Sequence, residues 1–460
     1  MKRAVPDMLS RRAFAAATLA AAAAPFARVP AAAQSRPRPS RSQLDWQREE
    51  LAVFVHFGVN TFTDREWGDG QENPAIFNPS RLDAREWARA ARTAGFRAMI
   101  LTAKHHDGFC LWPTSVTRHS VASSPWRGGN GDLVREFVDA CRAEGLRPGL
   151  YLSPWDRNAA VYGDSPRYND FYVAQLTELL TRYGSLAEMW FDGANGEGPN
   201  GRRQEYDWPR FFGTVRRLQP RAVMFSDAGP DVRWIGNERG EAGDPNWSTV
   251  DPDVVPYPGV WSDAVRDMLQ HGDPNGPAWR PGETNTSIRP GWFYHPAEDS
   301  KVKSVDELER VYFQSVGRNS KLLLNVPPGP DGLFHPNDVT RLQELHTRLA
   351  ALFSEDLASG RQVRWRRTGA RTGVADVDLG RTVTAGLLRL EEDIRGGQET
   401  ARYRVEAGVG DSWRDIARGL TIGYRKLDRF DPGPVRALRI HIEDAVAPPR
   451  ALRVGLYTGG

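Results

Sequence analysis

A chain of 460 residues exceeds what one ordinary core needs and suits two compact units. Its 61 basic and 58 acidic residues leave a formal charge of +3, which excludes the one-signed field that holds nucleic acid or an anionic membrane surface and favours a neutral substrate. The 15 tryptophans suit stacking on the C–H faces of sugars, although a core uses indoles equally well.

The N-terminal stretch MKRAVPDMLSRRAFAAATLAAAAAPFARVPAAAQS has a basic start, Arg11 and Arg12 ahead of Phe14, an alanine-rich apolar run and small residues before Gln34. This is the pattern of a twin-arginine export signal over residues 1–33, which predicts a periplasmic or secreted protein. The apolar run is too short and too alanine-rich for a stable membrane span. Residues 34–44 follow as a flexible leader with little to bury.

From 45 to 358 short apolar runs alternate with amphipathic segments, as in repeated β/α units. Strands are predicted at 51–59, 97–105, 147–155, 186–194, 222–227, 232–238, 284–294 and 321–329, a number that closes a (β/α)8-like parallel barrel. Helices are predicted at 81–95, 131–145 and 304–319, and the first two end on glycine. The segment 240–280, rich in Gly, Pro, Asp and Trp, reads as a long loop over the active face. From 359 to 460 alternating runs such as QVRWRRTG and VRALRIHIED predict an antiparallel β-sandwich. With only Cys110 and Cys141 present, disulfides do not build the scaffold, and the sequence leaves open whether the two pair. The oligomeric state is equally open.

In such a barrel, chemistry gathers at the C-terminal ends of the strands. His56, His105, His106, Tyr151, Asp192 and Glu238 all fall at or near such ends and are expected to converge on one mouth. Two carboxylates among imidazoles and aromatics suit glycoside hydrolysis, with a nucleophile on the anomeric carbon and an acid on the departing oxygen. A lone strand-end aspartate serves as readily as a helix cap, so the constellation carries the case. Neighbouring histidines on a strand face opposite ways unless the strand ends or bulges, and the His-x-His and His-x-x-x-His spacings of hydrolase zinc sites are absent. Hydroxyl recognition is therefore expected of the histidines, with no metal and no cofactor.

The series VHFGVNTF, EWG, TAKHHDGFCLW, GLYLSPWD, EMWFDGA and RWIGNERG resembles, in order and over about residues 45–355, the bacterial α-L-fucosidases of glycoside hydrolase family 29. The resemblance implies a catalytic barrel with a β-sandwich behind it and a fucosylated oligosaccharide or glycoconjugate as substrate. It implies Asp192 as nucleophile, and His56, Glu66, Trp67, His105, His106, Tyr151 and Trp190 as holders of the fucose ring and its hydroxyls. Trp292 or Phe293 is expected against the C6 methyl. For the acid/base the GNE triplet points to Glu238, with Glu283 as rival and Glu241 third. That triplet and GDGQENPAIFNPSRLD resemble the branch acting on α-1,3 and α-1,4 fucosyl linkages, broader specificity being the alternative. Two readings of other kinds are a zinc hydrolase on the same barrel and an inactive barrel kept for sugar binding.

Overall fold

The structure is a computed structural model that describes residues 36–459. The expected export signal lies outside the described residues. Eight parallel strands close a barrel: β1 Leu51–Val55, β2 Ala98–Lys104, β3 Arg147–Leu152, β4 Glu188–Trp190, β5 Val223–Ser226, β6 Val232–Trp234, β7 Gly282–Ser287 and β8 Lys321–Asn325. All eight coincide with the predicted strands, and each ends earlier than the predicted segment. Strand β8 pairs with β1 from Leu51↔Leu322 to Phe54↔Asn325, which leaves no free edge.

Most of these strands read as apolar runs because both faces are covered, and β7, GETNTS, is buried although polar. Every residue of β1 and β2 is buried. Ala52, Phe54, Ile100, Tyr151, Trp190, Phe225 and Leu323 fill the interior as a packed core. Helices cover the outside, and their ends are set by sequence: Asp83 caps Ala84–Thr93, and Asp132 caps Leu133–Ala143. The glycines after them, Gly95 and Gly145, adopt φ of 86° and 73°, the left-handed turn that stops a helix without a Cβ clash.

Two expectations are corrected. A helix, α1 (Arg41–Glu49), begins inside the stretch read as a featureless leader. Ser40 and Gln43 form a capping box at its start, and it sends Trp46 into the barrel core, where the indole donates to Glu188. The segment 240–280 is the β6-to-β7 crossover, with a helix at Asp263–His271 and a short ribbon pairing Thr249–Val250 with Ala278–Trp279. Only part of it reaches the active face, where Gly259 packs on Gly193, while Asn246 and Ser248 bond to Thr421 and Gln398 of the C-terminal region.

That region holds β9 Val363–Arg367, β10 Gly373–Glu391, β11 Thr400–Val409, β12 Ser412–Gly419, β13 Lys426–Ala445 and β14 Arg453–Tyr457 in one continuous antiparallel sheet. Strand β10 carries register shifts at 378–383 and 385–387. These change the parity of the inward positions, so that Ala375, Val377 and Ala385 share one core with Leu388 and Leu390. The sheet meets the barrel through Arg425 on Glu50, Lys426 on Asp244 and Tyr424 N on Asn319, all near the N-terminal ends of strands or the crossover. It thus braces the face opposite the mouth. Cys110 and Cys141 are buried and unpaired.

Candidate active site

Strand alternation delivers Asp192 to the mouth. Trp190 points inward, Phe191 turns out to pack against Trp208 and Phe212, and Asp192 turns in again just past the end of β4. Its Oδ1 accepts the Ala194 N–H at 2.7 Å and its Oδ2 accepts the Tyr151 hydroxyl at 3.1 Å. The side chain remains 26% exposed, so a reacting carbon can approach it.

All three predicted histidines sit around it. Strand β2 ends at Lys104, with a register irregularity against β3 between Thr102 and Lys104, so His105 and His106 escape strand alternation. Their ring centroids lie 4.1 Å apart, and His105 lies 5.5 Å from His56. The next residue, Asp107, turns back to accept Phe109 N and Asn60 Nδ2, closing the turn that presents both rings. Burial lowers the pKa of all three histidines, that of His56 to about 3, so they are neutral partners and not acids.

Their tautomers follow from the second partners. Asn325 donates its amide to Ser287 Oγ and to the Trp292 carbonyl, so its Oδ1 accepts His56 Nδ1–H at 2.8 Å. The Ser153 hydroxyl donates to the Trp155 carbonyl and accepts His106 Nδ1–H at 2.7 Å. Each Nε2 therefore carries a lone pair, and that of His106 lies 3.8 Å from Asp192 Oδ2, the spacing into which a donor hydroxyl fits. His105 Nδ1 is buried and has no partner among the described residues. Hydrogen-bonding capacity left unspent beside a carboxylate is what a polyhydroxylated ligand would use.

Trp67 is 57% exposed and stands edge-on to His106 and Trp155. Glu66 spends its carboxylate on the loop carrying Trp292: Oε1 accepts Trp292 N, and Oε2 accepts Phe293 N at 3.2 Å and faces His295 Nε2 at 3.0 Å. Trp292 lies tilted against His56 with ring centroids 5.1 Å apart, and Phe293 meets His105 edge-on at 5.0 Å. Trp190 stacks on Phe225 and donates its indole N–H to Glu283 at 3.0 Å.

The three candidate acids separate. Glu238, past the end of β6, is exposed at the mouth. Partial desolvation raises its pKa, a hydrogen bond from Trp292 opposes the rise, and the charges of Asp192 and Glu66 add to it. Glu283 is fully buried near the N-terminal end of β7, beneath Trp190, and cannot meet a substrate oxygen. Glu241 faces Arg239 and Arg318. Among the described residues no three His, Cys, Asp or Glu side chains are placed to share a metal ion.

The sequence profile described as Alpha-L-fucosidase matches residues 19–351. The chain belongs to the α-L-fucosidase family. It is 50% identical over 327 residues to putative alpha-L-fucosidase 1 of Oryza sativa subsp. japonica, covering 71% of this chain and 62% of that one. It thus spans less than two thirds of that plant relative's length. A putative alpha-L-fucosidase from Bacteroides ovatus superposes with a TM-score of 0.84 at 46% identity, covering 93% of this chain and 75% of that one. A Ruminococcus gnavus family 29 fucosidase in complex with fucose superposes with a TM-score of 0.82 at 31% identity, covering 92% and 95% of the two chains.

Within this family frame the structure adds residues that motif reading passed over. Asp227, one residue beyond β5, is pushed up to about 6 by burial, opposed by its hydrogen bond from Gly259 N and reinforced by the Asp192 charge. A Cβ on Gly193 would lie 2.4 Å from Asp227 Oδ2 and 2.9 Å from Gly259 N, which explains the glycine after Asp192. Trp155, tilted against His106 at 4.8 Å, and Ser153 and Asn325, which fix the histidine tautomers, complete the cup. The strand-end rule covered Asp227, Ser153 and Asn325, since each ends or follows a barrel strand.

Proposed function

We propose that the protein is an exo-acting retaining α-L-fucosidase that hydrolyses terminal α-1,3- or α-1,4-linked L-fucose by double displacement. The observation that carries the reading is the Asp192 carboxylate, partly exposed and held by Tyr151 and Ala194 N among three neutral histidines, with the raised carboxyl of Glu238 at the same mouth. Asp192 attacks the anomeric carbon while Glu238, protonated, gives its proton to the departing oxygen. Glu238 then takes a proton from the water that displaces Asp192. The lone pairs of His56 and His106 accept sugar hydroxyls, and Trp67 and Trp292 flank the ring.

The linkage preference draws support from two exposed aromatics on the crossover, Tyr257 at 54% and Trp261 at 57% exposure, the latter 6.4 Å from Trp234. Their segment docks beside Asp192 through Gly259, where a second sugar of a branched glycan could bear on it and lower the barrier. Export by residues 1–33 belongs to the same reading and is tested by replacing Arg11 and Arg12 with lysine and following the protein to the periplasm.

The decisive experiment pairs two variants with azide. Asp192→Gly should lose several orders of magnitude in kcat and, rescued by azide, give β-fucosyl azide; Glu238→Ala with azide should give α-fucosyl azide. An Asp192→Gly variant keeping more than about a tenth of the activity refutes the nucleophile assignment. Equal kcat/KM on branched α-1,3/1,4 trisaccharides, α-1,2-linked fucose and aryl fucosides refutes the linkage preference.

A further inference from the structure

The floor of the barrel holds an ionic layer that the proposed reaction does not use. Glu188 Oε2 accepts the Trp46 indole at 2.8 Å and the Lys321 ammonium at 3.1 Å, and Lys321 also reaches Glu49 at 2.7 Å. Arg147 meets Glu49 from β3. Glu283 Oε1 accepts the Trp190 indole, while its Oε2 lies 4.0 Å from Lys321, beyond hydrogen-bond reach. Two buried oxygens, Glu188 Oε1 and Glu283 Oε2, are left without a partner, although the two carboxyl groups converge on the same Lys321 ammonium. The neighbouring cation on β6, Arg233, is spent on the carbonyls of Leu269 and Arg280 and on Asn246.

Two ionised carboxylates buried side by side repel strongly, and a buried acceptor without a donor is costly. One proton answers both. We infer that Glu283 and Glu188 share one proton between Oε2 and Oε1, and that Glu283, as an uncharged acid, is a positioning residue holding Trp190 from beneath. The charges then balance: Lys321 and Arg147 against Glu49 and Glu188, with no surplus anion in the layer. The direction of titration agrees, since burial and the Glu188 charge push Glu283 well above the usual carboxylate range. Trp190 lies two residues before Asp192, so a fixed indole fixes the strand end that carries the nucleophile.

Infrared spectra of the full chain at about pH 9 test the proton directly, because Asp107 and Asp227, pushed up only to about 7 and about 6, are then ionised. The wild-type spectrum should hold a protonated-carboxyl C=O band that Glu283→Gln removes. Glu188→Gln, whose amide donates to an ionised Glu283, should remove it as well and serves if the first variant does not fold. A band that survives both substitutions, or no such band in the wild type, overturns the inference. The positioning role rests on the fucosidase reading and is tested separately. Glu283→Gln, which keeps both hydrogen bonds, should retain kcat/KM within about threefold, whereas Glu283→Ala should lose about tenfold or more. Trp190→Phe and Glu283→Ala together should cost no more than the worse of the two alone. Additive losses, or a Gln variant as impaired as the Ala variant, refute positioning, and a failed fucosidase reading leaves the infrared result standing.

Discussion

Tyr151→Phe removes a single hydroxyl, the one that donates to Asp192 Oδ2 at 3.1 Å, and leaves a ring of nearly the same volume in a fully buried place. Burial and the Asp192 charge hold this phenol protonated, so in the wild type it always donates. A hydrogen bond to a charged acceptor contributes about 1.5–3 kcal/mol. Removing it makes Asp192 a less stabilised anion, hence a better nucleophile in the first step and a poorer leaving group in the second. The second step should slow by about 10- to 150-fold, and the first should not slow with an activated leaving group. Stopped-flow measurement on any activated fucoside the enzyme accepts should show a burst of released aglycone absent from the wild type. If the variant shows no burst, and kcat and kcat/KM fall together, the hydroxyl does not act on the leaving carboxylate and this reasoning fails.

Three further outcomes follow from the geometry. Because Glu238 must be protonated in the free enzyme and its pKa is raised, kcat/KM should fall as pH rises through that pKa, and Glu238→Gln should abolish this alkaline limb; an unchanged limb moves the acid elsewhere. Lys104→Met should cost about 3–5 kcal/mol of stability, since Lys104 pairs with Asp156 at 2.9 Å with both side chains buried, and a thermal melt unchanged from wild type would contradict that. Gly193→Ala should displace the segment around Gly259 and impair branched oligosaccharides more than a simple fucoside, which the ratio of the two kcat/KM values checks.

The barrel was legible because most of its strands are buried on both faces and show as apolar runs, whereas β7, GETNTS, is buried yet polar. The strand ends were overlong for the same reason: His56, Phe191 and Phe293 are as buried as the ladder residues, so the texture continues where the pairing stops. The helix Asp263–His271 was missed because it buries only Val265 and Leu269, too few apolar positions to set a period among glycines and prolines. Strand β13 was read only in part, in runs such as VRALRIHIED, and β10 was not read, since the exposed residues around Gly380 and Gly433 interrupt alternation at a bend and look like turns. Glu238 and Glu283 could not be ranked by residue type, yet the strand direction separates them: one follows the C-terminal end of β6, the other sits near the N-terminal end of β7. The histidine tautomers were beyond sequence altogether, because Ser153 and Asn325 reach their rings from neighbouring strands, distant in the chain.

The account stands on a covalent fucosyl–Asp192 intermediate, and the measurement that bears on it most directly is trapping. Incubation with 2-deoxy-2-fluoro-fucosyl fluoride, whose fluorine slows the second displacement more than the first, should inactivate the enzyme in a time-dependent way. Peptide mass spectrometry should place the sugar on Asp192 within the segment MWFDGANGEG. A label on any other carboxylate, or rapid turnover releasing β-fucose as the first anomer, would contradict it.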